Sequence, residues 1–131
     1  MTDVIRTKLP VVARTLLGLV VFVFGLNGFL GFIPQPPLSE DAGAFMGALA
    51  ATGYMFPLIK GTEVVAGLLL LSGRFVPLAL VLLAPVLVNI TLFHVVLAPV
   101  NMGLVVVLLA LELYLAWGYR DAFRGVLQAH A

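Results

Sequence analysis

Apolar residues run along this chain in four long blocks, each closed by a break. The first extends from about Val11 to Ile33 and stops at Pro34-Gln-Pro-Pro37. A second runs from about Pro57, with Tyr54 as an alternative start, to Ser72, and ends at Gly73-Arg74. The third is Val76 to Leu97 and the fourth is about Asn101 to Tyr119. A helix needs about 20 apolar residues to cross a bilayer, and all four blocks are read as spanning helices. Between the first two lies a shorter piece. Ser39-Glu40-Asp41 supplies an N-cap and acids for a first turn, and Ala42 to Thr52 follows, up to Gly53. This run is too short to span and predicts an interfacial or re-entrant helix over about 41–52. A long second helix kinked at Pro57 is the alternative. Pro85 is expected to bend the third span, because it removes a backbone hydrogen bond. The expected fold is all-α: one integral membrane domain over 1–131, an antiparallel bundle of four transmembrane helices.

Composition strengthens that reading. The chain is 63% hydrophobic and 10% charged, with a mean hydropathy of +1.19. A soluble domain carries roughly 45–50% apolar and about 25% charged residues. The surplus apolar surface has to face lipid. With a net charge of +1 and no basic run, nothing here attracts nucleic acid. Cysteine is absent, which removes disulfides, thiolate metal sites and thiol catalysis by this chain. The first block is long enough to span and is not followed by a small-residue cleavage pattern, so it is read as a span and not as a signal peptide.

The basic residues orient the spans, since Lys and Arg favour the cytoplasmic side. Arg6, Lys8 and Arg14 flank the start of the first span, Arg74 lies between the second and third, and Arg120 and Arg124 follow the fourth. The segments 34–53 and 97–100 hold none. Both termini are therefore expected in the cytoplasm. Trp117 and Tyr119 mark the inner interface of the last span, with Tyr54 a candidate for the outer one.

Against this apolar background a few polar side chains stand out. Asn27, Glu63 and Asn89 each lie six or seven residues inside a span, from the end away from the basic residues. At about 1.5 Å per residue they sit roughly 9–10 Å deep. Lys60 and His94 are shallower, at roughly 3–5 Å. Intramembrane ionisable groups are costly and mark functional sites by default. Lys60, Glu63 and Gly67 share one helix face by i, i+3, i+7 spacing. Two readings of Lys60 and Glu63 stand side by side: an ion pair with Lys60 snorkelling outward, or a site in which Glu63 carries a proton or accepts a ligand. Asn27 and Asn89 read as interhelical hydrogen-bond glue or as ligand contacts. His94 reads as a proton relay or as an interfacial residue touching headgroups. Asn89 and His94 are five apart and share no face in a regular helix, unless a local distortion after Pro85 brings them together. Glu112 lies on the inner half of the last span, where it is expected to pair with Arg14 or Arg74. Gly18, Gly25, Gly28 and Gly31, and the run Gly43-Ala-Phe-Met-Gly47, offer close backbone approach, within the bundle or between copies of the chain. No nucleophile–base pair or phosphate loop is present, and a lone His with one Glu nearby is a weak metal signal.

The residues also carry a family likeness. Lys60-Gly-Thr-Glu63-Val-Val-Ala-Gly67-Leu-Leu-Leu-Leu-Ser-Gly73-Arg74 resembles the second-helix signature of the DoxX and DoxX-like membrane proteins. Leu82-Leu-Ala-Pro85-Val-Leu-Val-Asn89-Ile-Thr-Leu-Phe93-His94 resembles their third helix. Arg14 through Gly28 is similar to the first, and Glu112 to Arg120 to the last. The resemblance implies a small four-helix protein of the bacterial inner membrane. It points to quinone-coupled sulfur oxidation, thiol oxidative stress or quinone stress as the setting. Having no Cys, the chain brings no thiol to such chemistry, which leaves a place beside a membrane redox partner.

Taken together, the expectation is a non-catalytic subunit or binding protein. Asn27, Lys60, Glu63, Asn89 and His94 would line an outward-opening pocket for a lipophilic molecule such as a quinone or a lipid. The cofactor, if any, is not specified by any motif. A subunit of a quinone-linked oxidoreductase and a structural or assembly factor are the alternatives, and a homo-oligomer is a further partner expectation.

Overall fold

The computed structural model describes residues 2–32, 37–99 and 102–129. The expected end of the first span at Ile33, the break Pro34-Gln-Pro and Asn101 lie outside the described residues. The described chain is helical throughout, without strands. Its elements are α1 (Thr2–Leu30), α2 (Glu40–Ala51), α3 (Met55–Ser72), α4 (Val76–Leu92), a π-helical turn (Phe93–Leu97), α5 (Met102–Gly118), a 3₁₀ turn (Arg120–Phe123) and α6 (Arg124–Leu127). Three stretches are long and apolar enough to cross a membrane: Thr7–Leu30, Met55–Ser72 and Val76–Leu97. A fourth arises if α5 is taken with Arg120–Leu127, from which it is bent by 77°. This is the make-up of a helical membrane protein.

Helices occupy each of the expected stretches, with informative differences at their ends. α1 begins well before Val11 and runs through Pro10. Hydropathy marks where a helix meets lipid, and not where its backbone begins. α2 starts on Ser39, whose hydroxyl accepts from the Ala42 N–H at 3.3 Å, the expected N-cap. The alternative of one long helix kinked at Pro57 is not what forms. The chain breaks after Ala51, with Gly53 at φ +81°, and Pro57 falls in the first turn of α3. N–H groups there have no intrahelical acceptor, so proline costs nothing. Pro85 does not interrupt α4. The departure from regular geometry comes later, at Phe93–Leu97, where the Ala98 N–H reaches back to the Phe93 carbonyl at 3.0 Å.

The core is a cluster of small and branched side chains: Ala13, Leu17 and Val21 of α1, Ala66 and Leu70 of α3, Ala79, Leu80, Leu83 and Leu87 of α4, and Leu108 and Leu115 of α5. Their three- and four-residue spacings place one stripe of each helix inward. The opposite stripes are apolar as well: Leu19, Leu68, Val81 and Val107 are about half exposed, at 49%, 49%, 50% and 53%. Apolar residues on both faces suit a bundle in lipid.

The tightest contact is between α1 and α3. An added Cβ on Gly18 would lie 2.8 Å from Leu70 Cβ, and one on Gly25 would lie 2.9 Å from the Val64 N atom. On the other side, a Cβ on Gly67 would come within 2.7–2.8 Å of Phe22 Cβ, Cα and N. As numbers rise along α1, those of the facing residues fall along α3, so the two helices run in opposite directions. The glycines let the backbones touch, the usual means of helix association where lipid offers no hydrophobic drive. Gly47 on α2 meets nothing within 4 Å. Its Gly43–Gly47 run therefore closes no contact of this kind with the described residues of the chain.

Candidate functional site

The site is built on that interface. Lys60 and Glu63 are one turn apart on α3, and Lys60 Nζ lies 3.4 Å from Glu63 Oε2 and 3.5 Å from Oε1. The Lys60 side chain is 20% exposed and that of Glu63 5%. Gly28 of α1 makes room for the lysine stem, since a Cβ there would overlap the Lys60 Cγ and Cδ methylenes. Gly25 does the same one turn deeper for the Glu63 Cβ. The ammonium also stands 5.8 Å from the centroid of the Phe56 ring, within cation–π reach. Thus the glycine stripe of α1 forms the floor beneath the ion pair of α3.

The pair is loosely closed. Ammonium–carboxylate contacts at their strongest are about 2.7–2.9 Å. Here one ammonium is shared almost evenly between two oxygens at 3.4 and 3.5 Å. Both groups keep bonding capacity: the ammonium has three protons to give, and the carboxylate has lone pairs to accept with. A small polar head could bridge them without either charge being stranded.

The other expected members do not all join. Asn27 is buried, at 8% exposure, between Gly25 and Gly28 in sequence. At 100° per residue it is turned roughly 130° from the middle of that glycine pair, so it does not share the α3-facing stripe. Asn89 is a correction. It was expected inside the bundle near Glu63, but it lies exposed on α4, and no described residue hydrogen-bonds to it. The face of α4 turned to the core carries Leu80, Leu83 and Leu87, and Asn89 is on the other side. His94 sits on the π turn, half-buried, with its ring edge-on to Phe93 at 5.4 Å. Its Nδ1 lies 3.2 Å from the Ala98 carbonyl. A carbonyl only accepts, so this contact requires the proton on Nδ1. The distortion at Phe93–Leu97 starts beyond Asn89 and does not bring the two residues together.

α2 covers this end of the molecule, touching both α3 and the π turn. Phe45 stacks at 5.6 Å on Phe93, and Ser39 Oγ donates to the Leu97 carbonyl at 3.2 Å. α2 is thereby anchored to the turn that carries the histidine. The two described hollows lie elsewhere. One, of about 360 Å³, is a surface groove along Pro57, Gly61, Val65 and Leu82. The other, of about 670 Å³, is lined by Pro10, Tyr114, Trp117 and Arg120 at the opposite end.

Two residues at that opposite end, Arg14 and Glu112, are placed otherwise than the sequence suggests. Arg14 reads from sequence as a flanking charge and a candidate partner for Glu112. Its guanidinium donates to the Leu70 carbonyl at 2.6 Å and lies 3.4 Å from that of Leu71. It thereby caps the C-terminus of α3, where Gly73 turns the chain at φ +74°. The signal was present: a Gly–Arg helix end leaves carbonyls open, and a cation is favoured there. Glu112 is the second correction. It is 8% exposed in the core stripe Val105, Leu108, Glu112, Leu115, and its Oε1 has no hydrogen-bond partner among the described residues. The expected pairing with Arg14 or Arg74 does not form: Arg14 is engaged on α3, and Arg74 is exposed.

Comparison of the chain with family models, with curated proteins and with solved structures finds no match.

Proposed function

We propose that the chain is a non-catalytic membrane subunit or binding protein of the DoxX-like type, resident in a bacterial inner membrane. The Lys60–Glu63 pair is its polar recognition point. The molecule recognised is lipophilic with a polar head, of the quinone or lipid class. Its tail lies along the apolar helices, while the head is held between ammonium and carboxylate. The observation that carries this reading is the loose, half-open geometry of a charged pair whose glutamate is 4% exposed. Four spans with both termini cytoplasmic complete the proposal. In support, Arg14 meets the Gly73 end of α3, and Pro10 shares a groove with Trp117 and Arg120, so the basic ends of α1, α3 and α5 gather together. Reporter fusions after Pro37 and after Ala131 are expected on opposite sides of the membrane; both on one side would defeat the four-span topology.

A second reading, a structural or assembly factor, draws on the α1–α3 interface. It is filled by the lysine stem and the glycine stripe, as a pair serving only to lock two helices would be. Glu63→Gln separates the two. The amide keeps volume and hydrogen bonding but removes the charge. A binding site predicts at most a small drop in melting temperature, since Lys60 can reach the surface, with co-purifying lipophilic molecules, measured by mass spectrometry of a solvent extract, falling at least severalfold. A large drop in melting temperature with the bound molecules unchanged would establish the lock and defeat the binding reading.

A further inference from the structure

Asn89 presents a problem that three threonines of the bundle solve locally. Thr15, Thr62 and Thr91 also lie within apolar helices. Each returns its hydroxyl to the carbonyl four residues back, at 2.7, 2.8 and 2.7 Å. Asn89 makes no such bond, and its side chain is exposed roughly 10 Å inside the Val76–Leu97 span. Polar groups left unsatisfied in hydrocarbon cost several kcal/mol each by general estimate. An amide carries two donors and two acceptor lone pairs, so whatever covers it must offer both at the same depth.

The surface around it is a seam. Leu78, Val81, Val88 and Leu92 are 50%, 50%, 56% and 55% exposed, and Pro85 is exposed between them. Their spacing of three and four residues keeps them on one side of α4 with Asn89. Lipid satisfies the apolar members but not the amide. An identical copy satisfies both. Two chains inserted in the same orientation and related by a two-fold axis along the membrane normal present the same patch to each other, and residues beside the axis meet their own equivalents. Each Asn89 then donates to and accepts from its equivalent, while the apolar seams interlock.

We propose that the chain forms a homodimer along α4, locked by reciprocal hydrogen bonds between the two Asn89 side chains. The dimer and the Lys60–Glu63 site lie on different helices and stand or fall separately.

The natural chain has no cysteine, so single cysteines report on it cleanly. V81C, V88C and L92C on the seam and V106C on the exposed face of α5 (Val106 is 59% exposed) are oxidised in native membranes. The seam variants are expected to give a band of twice the chain mass, and V106C is not. In the V88C background, N89L is expected to raise the dimer dissociation constant about tenfold, with N89Q restoring most of it. Because Asn89 faces outward, neither change disturbs the monomer, which a melting curve checks. Mass measurement of the wild type in lipid nanodiscs is independent of any variant, and two chains are expected. Several results would overturn the proposal: a single chain in nanodiscs, equal cross-linking at V106C, cross-links to a chain of another mass, or a dimer indifferent to N89L.

Discussion

Glu63 and Glu112 are both buried carboxylates on apolar helices, at 4% and 8% exposure, yet among the described residues only Glu63 has a counter-ion. Lys60 sits one turn before it on the same helix, and Gly28 and Gly25 of α1 make space for both side chains. Glu112 stands between Leu108 and Leu115, with Oε1 unsatisfied. The difference lies in where each partner comes from. Lys60 is held by covalent proximity and the helical repeat. Glu112 depends on a distant arginine, and Arg14 is already committed to the carbonyls of Leu70 and Leu71. A pairing within one helix survives any arrangement of the bundle, whereas a pairing between helices has to compete.

The largest effect is expected from Lys60→Met, which keeps the stem over Gly28 and removes the charge. It strands the Glu63 carboxylate and is expected to cost about 3–5 kcal/mol of stability, at the lower end because part of the pair reaches the surface. Thermal unfolding of the purified variant measures it. Adding Glu63→Leu to Lys60→Met should recover most of the loss, and a Lys60→Met variant as stable as the wild type would erase the contrast between the two sites.

Glu112→Leu should act in the opposite direction. Replacing an unsatisfied polar group with an apolar one of similar size removes a penalty of about 1–3 kcal/mol. A raised melting temperature is expected. A clear loss would show that Glu112 has a partner, and so would bring the two carboxylates together as one type of site.

Arg14→Met tests why Glu112 is alone. Losing a cation at the end of α3 is expected to cost about 1–2 kcal/mol. If Arg14 serves α3 only, the Arg14→Met and Glu112→Leu effects add within about 0.5 kcal/mol. Marked non-additivity in the double variant would mean that the arginine also holds the glutamate.

The element boundaries show what a linear reading can reach. Ser39 as an N-cap, Gly53 as a break and Gly73 as a C-terminal turn were all legible, because caps and left-handed positions demand particular residues in place. The Lys60–Glu63 pair was legible for the same reason, being a matter of i, i+3 spacing. The N-terminal extent of α1 was not, since charge and proline lower hydropathy without ending a helix. The polar layer was an expectation from depth, and depth carries no direction. Asn27, Glu63 and Asn89 each lie six or seven residues from the expected end of a span, yet a helix turns 100° per residue, and that count says nothing about which side faces the bundle.

By itself, then, the sequence determined that this chain is apolar enough for lipid, where its helices break, and which two opposite charges meet. These are properties of composition and of neighbours within one turn. Only the tertiary structure decided that the α1 glycines lie against Lys60 and Glu63, that Arg14 closes α3 and leaves Glu112 alone, and that Asn89 faces outward. Each of those depends on how helices are rotated and aligned against one another. For α1 and α3 that choice is made by the close fit of glycine-lined backbones over the whole interface, and no single residue encodes it.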